Sequence, residues 1–349
     1  MKHLIRVHKI ISRSRYCEEK KRLISGLPRR FITSLRYAIK LLAMTALGAQ
    51  VAFANLNVNN DDKVIQQLYH QLDQTVPESQ AMPERVDIIS RFFLGKPYLY
   101  GALGEGKSGL FDQAPLYRTD AFDCLTYVST VLALTESHNL KEFQTTMLKV
   151  QYRNSLPIFQ NRLHFTNIDW NVVNTQNGFI QDITTQITPD TVINQTYINK
   201  PAWYRKMTEK NLNLVASNSL TQKEIQERVN QLHQLALKVQ PEMSRVVYIP
   251  LTTLFQKNGS PNMALFNKIP SGSIIEIVRS GWDLTKIIGT SLDISHLGFA
   301  IRTSPSILIF REASSLQHRV IDVPLITYLQ GYLHHSTVRG ITVSVIILR

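Results

Sequence analysis

The feature of this sequence that most limits its fold is a change of hydrophobic period along the chain. Several segments before residue 240 have apolar residues at intervals of three and four, the spacing of α-helices buried on one face. These predicted helices are Asp62–Leu72, a segment after Pro83, Cys124–Leu134, Leu140–Tyr152 and Leu220–Val239. The last third instead contains short β-branched runs bounded by turn residues, at Ile274–Val278, His296–Arg302, Ser306–Glu312 and Gly340–Leu348. Helices followed by an antiparallel sheet predict the α+β class.

One long segment between these two regions has neither period. Residues 160–219 are rich in Asn, Gln and Thr, with scattered aromatic residues. We interpret this segment as an irregular insertion that shapes one wall of a cleft. The body of the protein, residues 55–349, is then predicted to be a single domain.

A basic leader precedes this body. Residues 1–54 hold 12 Lys and Arg against 2 acidic residues, whereas the remainder holds 27 against 24. The formal charge of +13 is therefore concentrated in the leader, and we expect no nucleic-acid binding by the nearly balanced body.

The end of the leader is typical of a secretory signal peptide. Leu41–Ala54 is uncharged and ends with small residues at positions 52 and 54, which predicts cleavage after Ala54 and export to the periplasm or medium. A membrane span needs about 20 residues, and the alternative to cleavage is an uncleaved anchor.

Cysteine usage points to one residue. Of the two cysteines, Cys17 lies in the leader, so the exported body would hold Cys124 alone. A single cysteine forms neither an internal disulfide nor a structural metal site, and we expect no metal or organic cofactor. Cys124 begins a predicted helix, where unpaired N–H groups favour an anion such as a nucleophilic thiolate. The alternative is a small buried apolar side chain.

A thiolate nucleophile needs a base, and His296 is the best placed of the histidines. It opens a predicted strand, and Gly298 two residues later would leave room on the same face for a ligand. A hairpin centred on Ser304 would place Glu312 directly opposite His296, where it could orient the imidazole. The alternative for Glu312 is a solvated charge at a strand end.

Gly101–Ser108 matches the phosphate-binding pattern G-x-x-x-x-G-K-[ST]. That motif needs a buried strand before it and a helix that begins at its Lys-Ser pair, so that the helix dipole faces the phosphates. Neither pattern flanks this segment. We therefore interpret the match as coincidence and expect no nucleotide to bind.

Several segments together resemble the NlpC-type, papain-like cell-wall cysteine peptidases, and more closely their N-acetylmuramoyl-L-alanine-amidase-like branch. The match runs from about Pro83 to the C-terminus, and the segments that carry it are PYLYGALGEG (97–106), FDQAPLYRTDAFDCLTYV (111–128), NRLHF with DW (161–170), IPSGSIIEIV (269–278) and SHLGFAI (295–301). The resemblance implies a papain-like fold in which the nucleophile helix packs on the antiparallel sheet.

With the export that the leader predicts, the resemblance implies a cysteine amidase acting on peptidoglycan fragments, and we expect the protein to be a monomer. It would cleave the amide between N-acetylmuramic acid and L-alanine, with anhydro-muropeptides among the candidate substrates. Cys124 would be the nucleophile, His296 the base and Glu312 the orienting residue, although that branch often has histidine at the last position. Candidate substrate contacts are Tyr100, Asp123, Arg118 and Arg162, the arginines because the substrate carries carboxylates.

Three alternatives stay open on the sequence. The same cysteine and histidine would serve an endopeptidase that cuts within the wall peptide, or an acyltransferase that passes the acyl group to an amine. A third alternative is a module that binds muropeptides without catalysis.

Overall fold

The computed structural model describes residues 58–75, 82–214 and 220–347. The predicted signal peptide, with Cys17, lies outside the described residues. Among the residues that are described, none of the helices combines the length and apolar character of a membrane span.

The first half of the described chain is mainly helical. Its long helices are α1 (Val58–Thr75), α2 (Met82–Phe92), α3 (Cys124–Thr135) and α4 (Leu140–Gln151), which confirms four helices predicted from the apolar spacing. The third differs from the prediction in one respect, because every residue from Thr126 to Thr135 is buried. A helix whose sides are all apolar or small packs within a core instead of on a surface.

Residues 160–214, the described part of the segment 160–219, are more regular than the sequence predicts. They contain short elements: a π-helical turn (Thr166–Asn171), α5 (Val172–Gln176), β1 (Ile180–Asp182), α6 (Thr184–Ile187), β2 (Val192–Ile198), α7 (Lys200–Lys206) and a 3-10 turn (Glu209–Asn211). Both strands join the main sheet, β1 beside β8 and β2 beside β3. The prediction of an irregular insertion was therefore wrong. Elements of three to seven residues are too short to show a period, and distant partners stabilise them.

The second half of the chain supplies most of the sheet. Its helix α8 (Gln222–Leu235) is followed by β3 (Glu242–Pro250), β4 (Ser273–Trp282), β5 (Leu292–Ser304), β6 (Ile307–Ser314), β7 (Arg319–Pro324) and β8 (Val338–Ile346). The strands are antiparallel in the order β2-β3-β8-β4-β5-β6-β7, with β1 beside β8. Short helices connect them: α9 (Leu251–Leu254), α10 (Met263–Lys268), α11 (Thr285–Ile288) and α12 (Leu325–Gln330). This confirms the α+β class.

Both faces of the central strands are buried. Along β6, Ile309 and Ala313 belong to the core that contains α2, α3 and α4, whereas Leu308 and Phe310 belong to a second core with α9, α10 and α12. Strands that are covered on both sides read as continuous apolar runs, as these do in the sequence. Helix α3 contacts β5 and β6, so its first residue lies at the sheet that carries His296 and Glu312.

One glycine marks the closest approach of two strands and gives a test of the sheet. A Cβ at Gly340 would lie 2.0 Å from the carbonyl oxygen of Ile249. We expect Gly340→Ala to lower the free energy of unfolding by about 3 kcal/mol, because the strands must move apart. Gly331→Ala is the control, since its Cβ would come no nearer than 3.3 Å to another atom, and we expect a change below about 1 kcal/mol. Equal urea midpoints for the two variants would contradict the pairing of β3 with β8.

Candidate active site

The start of helix α3 is held by a capping box. Asp123 accepts a hydrogen bond from the Thr126 backbone N–H at 2.8 Å, and the Thr126 hydroxyl accepts one from the Asp123 N–H at 2.9 Å. The second carboxyl oxygen of Asp123 accepts from the N–H of Gly101 at 3.0 Å. Asp123, predicted as a substrate contact, thus has both oxygens bonded to backbone. It sets the position of Cys124 and ties the Tyr100–Gly101 loop to the helix.

This arrangement predicts the effect of removing the cap. We expect Asp123→Ala to lower the free energy of unfolding by about 1–2 kcal/mol, because two backbone N–H groups lose their acceptor. Asp123→Asn keeps one acceptor and should recover most of that loss. Chemical denaturation of the three proteins measures the difference, and an Asp123→Ala variant as stable as wild type would rule out a stabilising cap.

His296 and Glu312 meet on neighbouring strands of the sheet. The Nε2 atom of His296 contacts the Oε2 atom of Glu312, and the half-buried Cys124 thiol lies close enough to the imidazole to raise its pKa. The side chains of His296 and Glu312 are only 14% and 6% exposed. The structure therefore brings the three predicted residues into one cluster of thiol, imidazole and carboxylate.

The hairpin brings His296 and Glu312 together in a different register from the one predicted. The connection is a two-residue turn between Ser304 and Ile307, with a bulge just before it. The pairing of Phe299 with Arg311, continued by one residue, places Gly298 opposite Glu312, so the prediction of a directly opposed pair was wrong. The error is two residues, which leaves His296 on the same face as a diagonal neighbour of Glu312. Long side chains still reach across that diagonal.

Gly298 also has a different role from the predicted one. A Cβ at this position would lie 2.8 Å from the Phe310 ring and 2.6 Å from the Arg311 carbonyl oxygen. The ring of Phe310 fills the space above the glycine and meets the His296 ring edge-on at 5.8 Å. The glycine therefore makes room for an aromatic side chain that supports the histidine, and the predicted room for a ligand is already occupied.

The electrostatics of the cluster favour a charged imidazole. Burial by itself lowers the pKa of His296, but the negative charge of Glu312 and the neighbouring Cys124 outweigh it. The net effect raises the pKa of His296 well above its ordinary value. Such an imidazole can hold the proton of the thiol.

Three tyrosines surround the cluster. Burial, together with nearby Cys124 and other acidic groups, raises the pKa of Tyr98, Tyr100 and Tyr328, so all three phenols are neutral near pH 7. Tyr100, a predicted substrate contact, is 70% exposed and close enough to Cys124 for a charge on either group to act on the other.

Tyr98 and Tyr328 were not predicted from the sequence. Tyr98 lies in the same PYLY segment as Tyr100, and this closeness in sequence could have identified it as a residue near the site. Tyr328 lies on α12, packs against Phe310 at 4.9 Å and is near Glu312 and Cys124. No pattern in the sequence relates this distant tyrosine to Cys124.

The two predicted arginine contacts lie in different environments. Arg118 makes a bidentate ion pair with Asp120 at 2.6 and 2.8 Å and is nearly buried, a contact that holds the loop before α3. Arg162 pairs with Asp112 at 2.7 Å and with Glu105 at 3.5 Å, and it lies near Tyr100. Contact of either arginine with substrate stays a prediction.

The Gly101–Ser108 segment lacks the arrangement of a phosphate-binding loop. The backbone N–H groups of Gly104, Glu105 and Gly106 donate to the carbonyl oxygens of Pro115, Asp112 and Ala114. No helix begins at Ser108, and the next helix along the described chain is α3. Within the described residues, no group of three His, Cys, Asp or Glu side chains could hold a metal ion.

Fold and site together define an α+β protein with a thiol, an imidazole and a carboxylate joined at the start of a buried helix. Residues 88–334 match the AmiA-like family, described as N-acetylmuramoyl-L-alanine amidase-like. The chain belongs to this family, which indicates a hydrolase of the amidase type, and the match includes all three members of the cluster.

The solved structures similar to the chain include the following two. A protein of Legionella pneumophila is 40% identical with a TM-score of 0.77, covering 82% of this chain and 94% of that one. An N-acetylmuramoyl-L-alanine amidase of Bacteroides uniformis is 23% identical with a TM-score of 0.53, covering 76% of this chain and 98% of that one. At that identity the likeness shows the fold alone. None of the curated proteins matches the chain.

Proposed function

We propose that this protein is a cysteine amidase that hydrolyses the bond between N-acetylmuramic acid and L-alanine in peptidoglycan fragments, anhydro-muropeptides among them. The single observation that carries the proposal is the contact of His296 with both Cys124 and Glu312, in a chain of the amidase-like family. We assign the fold to the papain-like, NlpC-type branch of the cysteine peptidases. The predicted leader, cleaved after Ala54, would export the enzyme to its substrate.

The reaction begins with proton transfer from thiol to imidazole. Since Nε2 of His296 contacts Glu312, Nδ1 is the ring nitrogen that accepts the proton of Cys124. The resulting imidazolium lies between thiolate and carboxylate, and the attraction of both stabilises its charge. The thiolate sulfur then attacks the carbonyl carbon of the lactyl group, forming a tetrahedral oxyanion.

The oxyanion lies near the start of α3, where backbone N–H groups point out of the helix. Each donor of this kind stabilises a tetrahedral intermediate by about 3–4 kcal/mol. His296 gives its proton to the leaving alanine nitrogen, and the carbon–nitrogen bond breaks to leave a thioester. Water, deprotonated by His296, then hydrolyses the thioester and restores the thiol.

The substrate would lie along the cleft beside Tyr100. This exposed ring next to Cys124 suits stacking against a sugar or peptide plane. Arg162 lies near it and offers a positive charge to the carboxylates of the peptide. Arg118 and Asp123 are the other two candidate contacts, and both also have protein partners.

Mass spectrometry of defined muropeptides incubated with the protein tests the function. We expect free peptide beginning with L-alanine and free N-acetylmuramic acid or its anhydro form. Cleavage within the peptide instead would indicate the endopeptidase, and products captured by an added amine would indicate the acyltransferase. If a folded protein cuts none of these bonds, the amidase proposal fails.

A further inference from the structure

We propose that the carboxylate of Glu105 balances the charge of Arg162 in the free protein. When a carboxylate of the substrate binds Arg162, Glu105 takes up a proton. This inference rests on the proposed function and assigns a specificity-determining residue to it. The affinity for acidic substrates would then depend on pH through a group outside the catalytic cluster.

The first observation is the arrangement around Arg162. Its Nη1 atom donates to Asp112 at 2.7 Å and lies 3.5 Å from Glu105, so two carboxylates face one guanidinium. The Arg162 side chain remains 15% exposed and lies near Tyr100, the exposed ring beside Cys124. The exposed part of the Arg162 side chain is where a carboxylate of the substrate would meet the cation, beside Asp112, Glu105 and Tyr152.

The second observation is that the two carboxylates are held differently. Asp112 accepts hydrogen bonds from Arg162 and from the N–H of Ala114, which define its position. The side chain of Glu105 is 1% exposed, and within the described residues neither of its oxygens has a hydrogen-bond partner of good geometry. A buried carboxylate without such partners is costly and calls for an explanation.

The remaining groups of the cluster do not change charge near neutral pH. Burial raises the pKa of Tyr152 and raises that of Tyr204 to about 12, so both phenols near Glu105 are neutral. Burial and the charge of Arg162 lower the pKa of His164 to about 3, which leaves it neutral as well. Glu105 is different, because burial raises its pKa to about 7 against the attraction of Arg162.

The charge balance gives the direction of the effect. With Glu105 ionised, two carboxylates already outweigh the single positive charge, and a substrate carboxylate would be a third. Protonation of Glu105 removes the excess charge before or during binding. Acidic substrates should therefore bind more tightly below about pH 7 than above it, because lower pH favours the protonated form.

The test compares two substrates that differ only in charge. These are N-acetylmuramyl-L-alanyl-D-glutamate and the same compound with both carboxylates converted to amides. We would measure kcat/KM for each between pH 6 and pH 8.5 and take the ratio, in which the titration of the catalytic cluster cancels. The ratio of acid to amide should fall by about 3- to 10-fold over this range, as expected for one linked proton and partly screened charges.

Glu105→Gln keeps the shape of the side chain and removes its charge. We expect its ratio of acid to amide to be independent of pH and close to the low-pH value of wild type. Glu227→Gln on the exposed face of α8 is the matched control and should behave as wild type. A wild-type pH dependence in Glu105→Gln, or a constant ratio in wild type, would overturn the inference.

These outcomes are separate from failure of the proposed function. If the folded wild type cuts neither substrate, the amidase proposal fails first. If it cuts both with a ratio that does not vary with pH, the function stands and the role of Glu105 falls. Because the two wild-type profiles already decide this point, the inference remains testable even if Glu105→Gln does not fold.

Discussion

Cys124→Ala is expected to abolish amide cleavage, with a loss in kcat of at least about 10,000-fold. No neighbouring side chain can take over this role, because the thioester intermediate cannot form without the sulfur atom of Cys124. The fold should survive, since a smaller side chain at a half-buried helix start leaves the capping box of Asp123 and Thr126 intact. Liquid chromatography of muropeptide digests measures the rate, and thermal unfolding checks that the variant is folded.

Two further results would separate the alternatives. Turnover by folded Cys124→Ala at the wild-type rate would exclude the cysteine as nucleophile. An inactive wild type that still binds muropeptides, measured by calorimetry, would favour the binding module. Cys124→Ser should also lose most activity, because a hydroxyl gives its proton to His296 far less readily than a thiol does.

Glu312→Gln has the second largest expected effect, a fall in kcat of about 100- to 1,000-fold. In the proposed mechanism the carboxylate orients His296, and its charge raises the pKa of the histidine, so the amide should lower that pKa. The ion pair of thiolate and imidazolium exists only below the pKa of the imidazole. The alkaline limit of activity should therefore move to lower pH in the variant.

Alkylation of Cys124 at a series of pH values, followed by peptide mapping, measures the ion pair without substrate. The matched control is Glu276→Gln, which changes another buried glutamate. Glu276 bonds Asn171 and Thr342 on the sheet and not the histidine. We expect the alkylation profile to change in Glu312→Gln and not in the control. Identical profiles in Glu312→Gln and wild type would remove Glu312 from the cluster.

The candidate catalytic residues could be predicted from the sequence because the patterns that identify them involve residues close together in the chain. A helix start after a polar run identified Cys124, and a strand that begins with His296 identified the base. The distance of Glu312 along the chain was short enough for a hairpin to connect it to His296. Even so, the predicted register was wrong by two residues, since a bulge and a two-residue turn are set by contacts that the sequence pattern does not show. His296 and Glu312 still meet, because a register shift of two residues leaves both side chains on the same face of the sheet.

By itself, the sequence determined the order of helices and strands, the start of α3 and the resemblance to a family of amidases. These features depend on periodicity and on neighbours in the chain. Only the tertiary structure decided which distant residues meet: Tyr328 near Cys124, Phe310 over Gly298, Glu105 against Arg162, and the two short strands of residues 160–219 in the sheet. Such contacts join segments tens to hundreds of residues apart, and their energy comes from packing and charge in a shared space, which no local pattern records.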